Sequence, residues 1–236
     1  MKERRCDDRG VKPAGVRTVI RVLYEDDRYI VFEKPSGLLV IPTPKGEQRT
    51  LVNIVNRQCA AQGASWKLHP CHRIDRDTSG AIIFAKGKRH QKYMMDLFRQ
   101  RLVKKKYIAF IHGKMSSRSG EFRTSVQDIH QKKFQRKSPA LSAVTLYKVL
   151  ESKKLFSIVE VQPVTGRTNQ IRIHFSQARH PLLGERKYAF ARDYALKFRR
   201  TALHAFLIQW RDPVSHKDMV VSSELPKDMR EFQAKN

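Results

Sequence analysis

The chain has 236 residues, and its 48 Lys and Arg against 22 Asp and Glu give a formal net charge of +26. A surplus of this size destabilises a compact state by self-repulsion, so it favours a polyanionic partner, with nucleic acid ahead of an anionic membrane surface. No apolar run approaches the ~18 residues that a membrane-spanning helix needs, which argues against a membrane-inserted protein.

The first 17 residues are polar and charged and indicate a disordered basic arm in front of a single domain, residues 18–236. They lack the apolar core of a secretory signal, and an odd number of cysteines without paired spacing fits a reducing cytoplasm. His69, Cys71 and His72 are too close together in sequence to supply a tetrahedral site by themselves. We therefore expect a cytoplasmic protein without a bound metal.

The chain opens with two strand patterns and a helical one. Residues 19–24 and 29–32 are β-branched and aromatic and flank the acidic turn 25–27, which predicts two strands joined by a turn. Thr50 is a candidate cap for a helix whose apolar positions recur at helical spacing. These positions are Leu51, Ile54, Val55 and Cys59.

Residues 72–80, His-Arg-Ile-Asp-Arg-Asp-Thr-Ser-Gly, place Asp75 between Arg73 and Arg76 and precede a candidate buried strand, 81–85. Nearby positive charge favours an ionised carboxylate, the state that a nucleophile needs. Asp75 is therefore the first candidate catalytic residue. The simpler alternative is that the acidic residues cap a turn before the strand.

The remaining patterns complete an α+β protein. Tyr93, Met94, Leu97 and Phe98 define one face of a helix over 88–100. Strand patterns occupy 107–111, 143–150, 156–161 and 203–210. Further helical patterns lie after a candidate Thr168 cap, with Ile171, His174, Phe175 and Ala178 on one face, and near 226–234. Strands outnumber helices without regular alternation, which predicts α+β with a mixed, mostly antiparallel sheet.

Four ordered segments resemble the motifs of the RluA-type RNA pseudouridine synthases. They are 23–27 with 34–38 (LYEDD and KPSGL), 72–80 (HRIDRDTSG), 106–109 (KYIA), and 165–174 (TGRTNQIRIH) followed by 180–184 (HPLLG). Four motifs in order are more specific than any one of them. The resemblance covers about residues 18–212 and implies a central sheet with flanking helices and an active-site cleft across it.

The resemblance implies an enzyme that isomerises uridine in transfer or ribosomal RNA to pseudouridine without a cofactor. Asp75 would be the catalytic aspartate, and Tyr107 would lie against the uracil face. Arg172 would pair with Asp75 and keep it ionised and oriented. Arg73 would hold the target nucleotide out of its helix, since such extrusion costs roughly a few kcal/mol.

These assignments have simpler alternatives. Tyr107 fits a strand aromatic in the core, and Arg172 fits one more solvated arginine. His72 and His174 fit structural hydrogen-bonding groups better than catalysts.

Three positions depart from the family pattern: Asn169 replaces the usual His, Ile74 a Leu and Glu185 an Asp. Asn keeps a hydrogen-bond donor and an acceptor but cannot titrate. A structural hydrogen bond of the usual His could therefore survive at this position, whereas a protonation role could not. Asn169 is the only support for a second hypothesis, an RNA-binding or ribosome-assembly factor that has lost catalysis. A basic membrane-surface protein ranks last.

About 17 residues precede the first motif, so we expect no small RNA-binding S4 domain, and the core's own basic surface would hold RNA. The clusters are 104–106, 132–133, 136–137 and 197–200; for any one of them, a solvated charged face is the alternative. Candidates for holding substrate or RNA are Arg73, Arg167, Lys34, Lys105, Lys133 and Arg136. Lys34, with Gly37, is expected to shape a turn near the pocket. We predict that the protein is a monomer.

Overall fold

The computed structural model describes residues 19–126, 141–189, 194–212 and 215–236. The predicted N-terminal arm and the candidates Lys133 and Arg136 lie outside these ranges.

The described residues form ten strands and four helices. In chain order they are β1 (Val22–Glu25), β2 (Tyr29–Lys34), α1 (Leu51–Ala61), β3 (Leu68–Pro70), β4 (Ser79–Lys86), α2 (Lys88–Arg99), β5 (Lys104–His112), β6 (Ser119–Val126), β7 (Leu141–Ser152), β8 (Phe156–Pro163), α3 (Gln170–Gln177), β9 (Leu203–Arg211), β10 (Asp218–Ser222) and α4 (Lys227–Lys235).

All ten strands belong to one sheet with the order β1-β2-β4-β9-β5-β8-β7-β6, while β10 pairs with β9 and β3 with β4. β4 and β9 run parallel, and the other pairs are antiparallel. The predicted mixed, mostly antiparallel α+β fold is confirmed. Gly80 is needed where β4 meets β9, because a Cβ there would lie 2.3 Å from the Ala205 carbonyl oxygen and the backbone φ is +111°.

The helices cover both faces of the sheet. Apolar residues of α1 and α3 pack with one face of β2, β4, β5 and β8. On the opposite face, α2 packs over β2 and β4, and α4 packs over β5 and β8. Successive strand side chains point to opposite faces, so the near-continuous apolar runs of the central strands fill both layers.

The predicted strand, turn and strand at the N-terminus is confirmed. β1 and β2 pair antiparallel, and Asp26 Oδ1 accepts hydrogen bonds from the backbone N–H groups of Arg28 and Tyr29 at 2.7 and 2.6 Å. The helix after Thr50 is also confirmed, although the Thr50 hydroxyl makes no cap hydrogen bond.

Two details of the helix predictions are wrong. Tyr93 is 50% exposed, because His90 and Gln91 take the sheet-facing side of α2 beside Met94. The cap of α3 is Asn169, with a left-handed φ of +55°, and not Thr168. Asn tolerates this backbone region better than most residues do.

Lys34 is the least expected residue of the core, since it is fully buried. Its Nζ donates hydrogen bonds to the carbonyl oxygens of Pro35, Leu38 and Arg76 at 2.9, 2.6 and 2.8 Å. Burial lowers the pKa of this amine to about 7. As expected, Lys34 shapes the turn after β2, and its amine holds this turn against the loop that carries Asp75. Its burial gives no support to the prediction that it also binds RNA.

We expect Lys34→Met to lower the free energy of unfolding by about 3 kcal/mol, because it leaves three carbonyl oxygens without their donor. The exposed Lys45→Met should change it by less than about 0.5 kcal/mol. Urea denaturation of both variants measures the difference. Equal midpoints would show that the three hydrogen bonds do not hold the turn.

Candidate active site

A cleft of about 570 Å³ opens at the middle of the sheet. Its walls are the loop before β4, the end of α2 with the start of β5, and residues 163–172 leading into α3. Leu203 of β9 also lines it. Asp75, Tyr107 and Arg172, which are far apart in sequence, all line this one cavity.

Asp75 lies in the loop between β3 and β4, and its side chain is 26% exposed. Its Oδ2 lies 3.6 Å from Arg172 Nη1. Burial raises the pKa of Asp75 above its ordinary value, and the charges of Arg172 and Arg73 oppose this shift. Arg73 thus favours the ionised form, as expected, but the sequence contained no sign that burial would outweigh the arginine charges. Arg76 instead pairs with Asp77, at 3.5 Å.

Arg172 is held by groups other than Asp75. Its Nε and Nη2 donate to the two carboxylate oxygens of Glu185 at 2.7 and 2.8 Å, a bidentate pair. Its Nη1 donates to Asn169 Oδ1 at 2.8 Å, and its guanidinium carbon lies 5.3 Å from the centre of the Tyr188 ring. The predicted proximity of Arg172 and Asp75 is present, while the interpretation of Arg172 as a solvated arginine is wrong.

Glu185 is a site residue that the sequence presented only as a departure from the family pattern. Its side chain is 1% exposed, and its Oε1 also accepts from the backbone N–H groups of Arg186, Lys187 and Tyr188 at 3.0, 2.8 and 3.3 Å. Burial alone would raise the pKa of this carboxyl, but the hydrogen bonds and charge of Arg172 lower it below its ordinary value. Glu185 is thus a fixed negative charge behind Arg172.

Asn169 takes part in the same arrangement. Besides accepting from Arg172, it donates from Nδ2 to the Tyr188 hydroxyl at 2.9 Å. The donor and the acceptor that Asn supplies are therefore both used. Asn169 therefore helps to hold Arg172 in place.

Tyr107 lies on β5, where it belongs to the apolar core and also lines the cleft. Burial raises the pKa of its hydroxyl, and the negative charge of Asp75 adds to the shift. The ring is therefore a protonated phenol at neutral pH.

The walls of the cleft are basic. The predicted candidates Arg73, Lys105 and Arg167 line it, and so do Arg99 and Arg101, which sequence reasoning missed. Among the described residues that line the cleft, Asp75 is the only acidic one. Burial lowers the pKa of Lys105, whose Nζ lies 5.6 Å from the centre of the Phe98 ring. Such walls suit a polyanion with planar bases.

The two histidines of the motifs are hydrogen-bonded within the fold. His72 Nε2 accepts from the Ile83 N–H at 3.1 Å, and both nitrogens of His174 lie 2.8 Å from threonine hydroxyls. Burial lowers the pKa of His72 to about 3. Over the described ranges, no group of three or more His, Cys, Asp or Glu residues is placed to hold a metal ion. In the same ranges, no helix is long and apolar enough to span a membrane.

The sequence of this chain is similar to those of RNA pseudouridine synthases. The family model described as RNA pseudouridylate synthase matches residues 28–177. An uncharacterized RNA pseudouridine synthase of Bacillus subtilis, YlyB, is 34% identical, and the match covers 89% of this chain and 71% of that protein. The ribosomal large subunit pseudouridine synthase D of Blochmanniella floridana is 30% identical, over 97% of this chain and 76% of that protein.

Solved structures agree with these sequence matches. Human RNA Pseudouridylate Synthase Domain Containing 4 has a TM-score of 0.73 at 26% identity, and the match covers 90% of this chain and 92% of that one. Human RNA Pseudouridylate Synthase Domain Containing 1, at 20% identity and a TM-score of 0.70, shares the fold.

Proposed function

This chain belongs to the RNA pseudouridylate synthase family, and we propose that Asp75 is the catalytic carboxylate with which it converts uridine in a structured RNA to pseudouridine. The observation that carries the proposal is the position of Asp75 in a basic cleft, 3.6 Å from Arg172 and beside Tyr107. The reaction breaks the bond from ribose C1′ to uracil N1 and forms one from C1′ to C5. The proton lost from C5 is balanced by one gained at N1, so no redox partner is needed.

Asp75 would act in its ionised form, whether it attacks the ribose, attacks the uracil ring or assists an elimination. Burial raises the pKa of Asp75, which makes the carboxylate a better base than an exposed aspartate, while the charge of Arg172 favours the ionised form. Arg172 therefore acts by orienting Asp75 and stabilising its charge.

Tyr107 would supply a flat surface against the uracil ring. Because its phenol is protonated, we expect it to assist proton removal from C5 only where another group, such as Asp75, takes the hydroxyl proton. Its stacking role needs no such transfer.

The cations of the cleft would hold the extruded nucleotide. Arg73 is exposed at the rim, where a planar guanidinium can both stack on bases and bind phosphate. Lys105 and Arg167 also line the cleft, and we expect them to bind phosphate oxygens near the target. Extrusion would therefore be favoured by charge and stacking together.

Several relatives are named for the large ribosomal subunit, so ribosomal RNA is the first substrate to test and transfer RNA the second. The assay measures tritium released from RNA that contains uridine tritiated at carbon 5. We expect the purified protein to release tritium from labelled RNA that is taken from cells lacking this protein. No release from any cellular RNA would contradict the proposal and favour an RNA-binding factor without activity.

The pH dependence of the reaction tests the pairing of Asp75 with Arg172. Since the charge of Arg172 lowers the pKa of Asp75, Arg172→Gln should raise that pKa and shift the acid limb of kcat/KM to higher pH, along with a lower rate. Arg76→Gln, which removes an exposed guanidinium facing Asp77, should leave the acid limb in place. Equal profiles for Arg172→Gln and the unmodified enzyme would contradict the pairing.

A further inference from the structure

Helix α2 carries a basic stripe that leads into the cleft. Lys88, Lys92, Met95 and Arg99 are separated by four, three and four residues, a spacing that places them on one side of a helix. All four are exposed. The stripe extends about 16 Å along the helix axis, at ~1.5 Å per residue.

The stripe is continuous with the proposed RNA site. Met95 and Arg99, at its end, line the cleft. Lys88 and Lys92 lie beyond the cleft, toward the start of the helix. Whatever fills the cleft and leaves it over α2 therefore passes along these two side chains.

Helix stability does not account for the position of these cations. The first turn of α2 contains no acidic residue, and the cap residue Gly87 offers no side-chain hydrogen bond. Lys88 lies in the first turn, where a positive charge opposes the helix dipole at a cost of about 0.3–1 kcal/mol. Within the described residues, neither Lys88 nor Lys92 has an ion-pair partner, whereas Arg99 pairs with Asp96 at 2.9 Å.

We propose that the stripe Lys88-Lys92-Met95-Arg99 is an RNA-binding track for the strand that flanks the target uridine outside the cleft. The proposal rests on the proposed function for its choice of RNA. Lys88 and Lys92 would each bind a backbone phosphate and displace its counterions. Met95, which lies between these lysines and Arg99 on the helix, would provide an apolar contact to the RNA. Arg99 would add a positive charge at the cleft.

The test compares Lys88→Gln/Lys92→Gln with a matched control, Lys114→Gln/Lys154→Gln. The control pair is also exposed and lies at the opposite ends of β5 and β8 from the cleft. The probe is a fluorescent 20-nucleotide oligouridine, and Kd is measured by anisotropy between 50 and 200 mM salt. Tritium release from ribosomal RNA is measured in parallel for the unmodified enzyme.

For the stripe variant, we expect the slope of log K against log salt to fall in magnitude by about 1.4, since each phosphate contact to a single strand contributes about 0.7. The control slope should change by less than about 0.3. The thermal midpoint of the stripe variant should stay equal or rise, because a charge that opposes the helix dipole is gone. Weaker binding would then not be due to unfolding.

Equal slopes in the two double variants, with tritium release intact in the unmodified enzyme, would overturn the track and leave the proposed function standing. Absence of tritium release would overturn the proposed function itself. Unchanged RNA slopes together with lost binding of the stripe variant to phosphatidylserine vesicles would assign the stripe to a membrane surface, and would also overturn the proposal.

Discussion

Asp75→Asn is expected to lower tritium release from RNA by about 10⁴-fold or more, because loss of a group that bonds to or deprotonates the substrate removes most of the chemical step. The amide has nearly the same shape as the carboxylate but is neither a base nor an effective nucleophile. RNA binding should remain within a few-fold of the unmodified protein, since the basic walls of the cleft are unchanged.

The same substitution should stabilise the fold. Folding raises the pKa of Asp75, so the ionised carboxylate destabilises the native state above that pKa, and the penalty disappears as pH falls through it. Removing the charge at pH 7 should therefore raise Tm while activity is lost, a common opposition between stability and function at active sites.

Asp77→Asn is the matched control. Asp77 is two residues away, its side chain is 41% exposed, and it pairs with Arg76. We expect activity within about twofold of the unmodified enzyme and little change in Tm. Loss of activity in both variants, or a lower Tm for Asp75→Asn, would indicate damage to the loop and count against a chemical role for Asp75.

The sequence predicted the elements whose patterns are strong and missed those that depend on pairing. The central strands contain short, nearly continuous apolar runs that are rich in β-branched and aromatic residues, a pattern typical of buried strands. β6, in contrast, reads Ser-Gly-Glu-Phe-Arg-Thr-Ser-Val and is extended because it pairs along its length with β7 at the sheet edge. Such a polar edge strand has no local signal.

In the candidate site, too, the sequence identified the residues of strong motifs but not the properties that depend on folding. Asp75, Tyr107 and Arg172 were identified by motif, and the fold brings them to one cleft. The direction of the Asp75 pKa shift was not predictable from adjacent arginines, because burial is a property of the folded loop. The turn role of Lys34 was predicted but its burial was not, because a lysine in a turn is usually exposed and only the folded chain shows the three carbonyl groups around its amine.

Glu185→Gln is expected to have the second large effect, since Glu185 holds Arg172 by two charge-assisted hydrogen bonds. Removing one member of a buried ion pair typically costs about 3–5 kcal/mol of unfolding free energy. A displacement of Arg172 by about 1 Å would misplace Asp75 and lower kcat by about 10²-fold. Glu185→Asp, which keeps the charge on a shorter side chain, should recover part of both losses.

The pH profile separates positioning by Glu185 from a general loss of folding. The negative charge of Glu185 contributes to raising the pKa of Asp75, so Glu185→Gln should shift the acid limb of kcat/KM to lower pH, opposite to the shift expected for Arg172→Gln. Glu160→Gln, which removes an ion pair with Lys106, is the control and should move neither the limb nor kcat. A limb that stays in place would show that Glu185 supports the fold without acting on Asp75, whereas a limb at higher pH would show that a displaced Arg172 no longer lowers the pKa of Asp75.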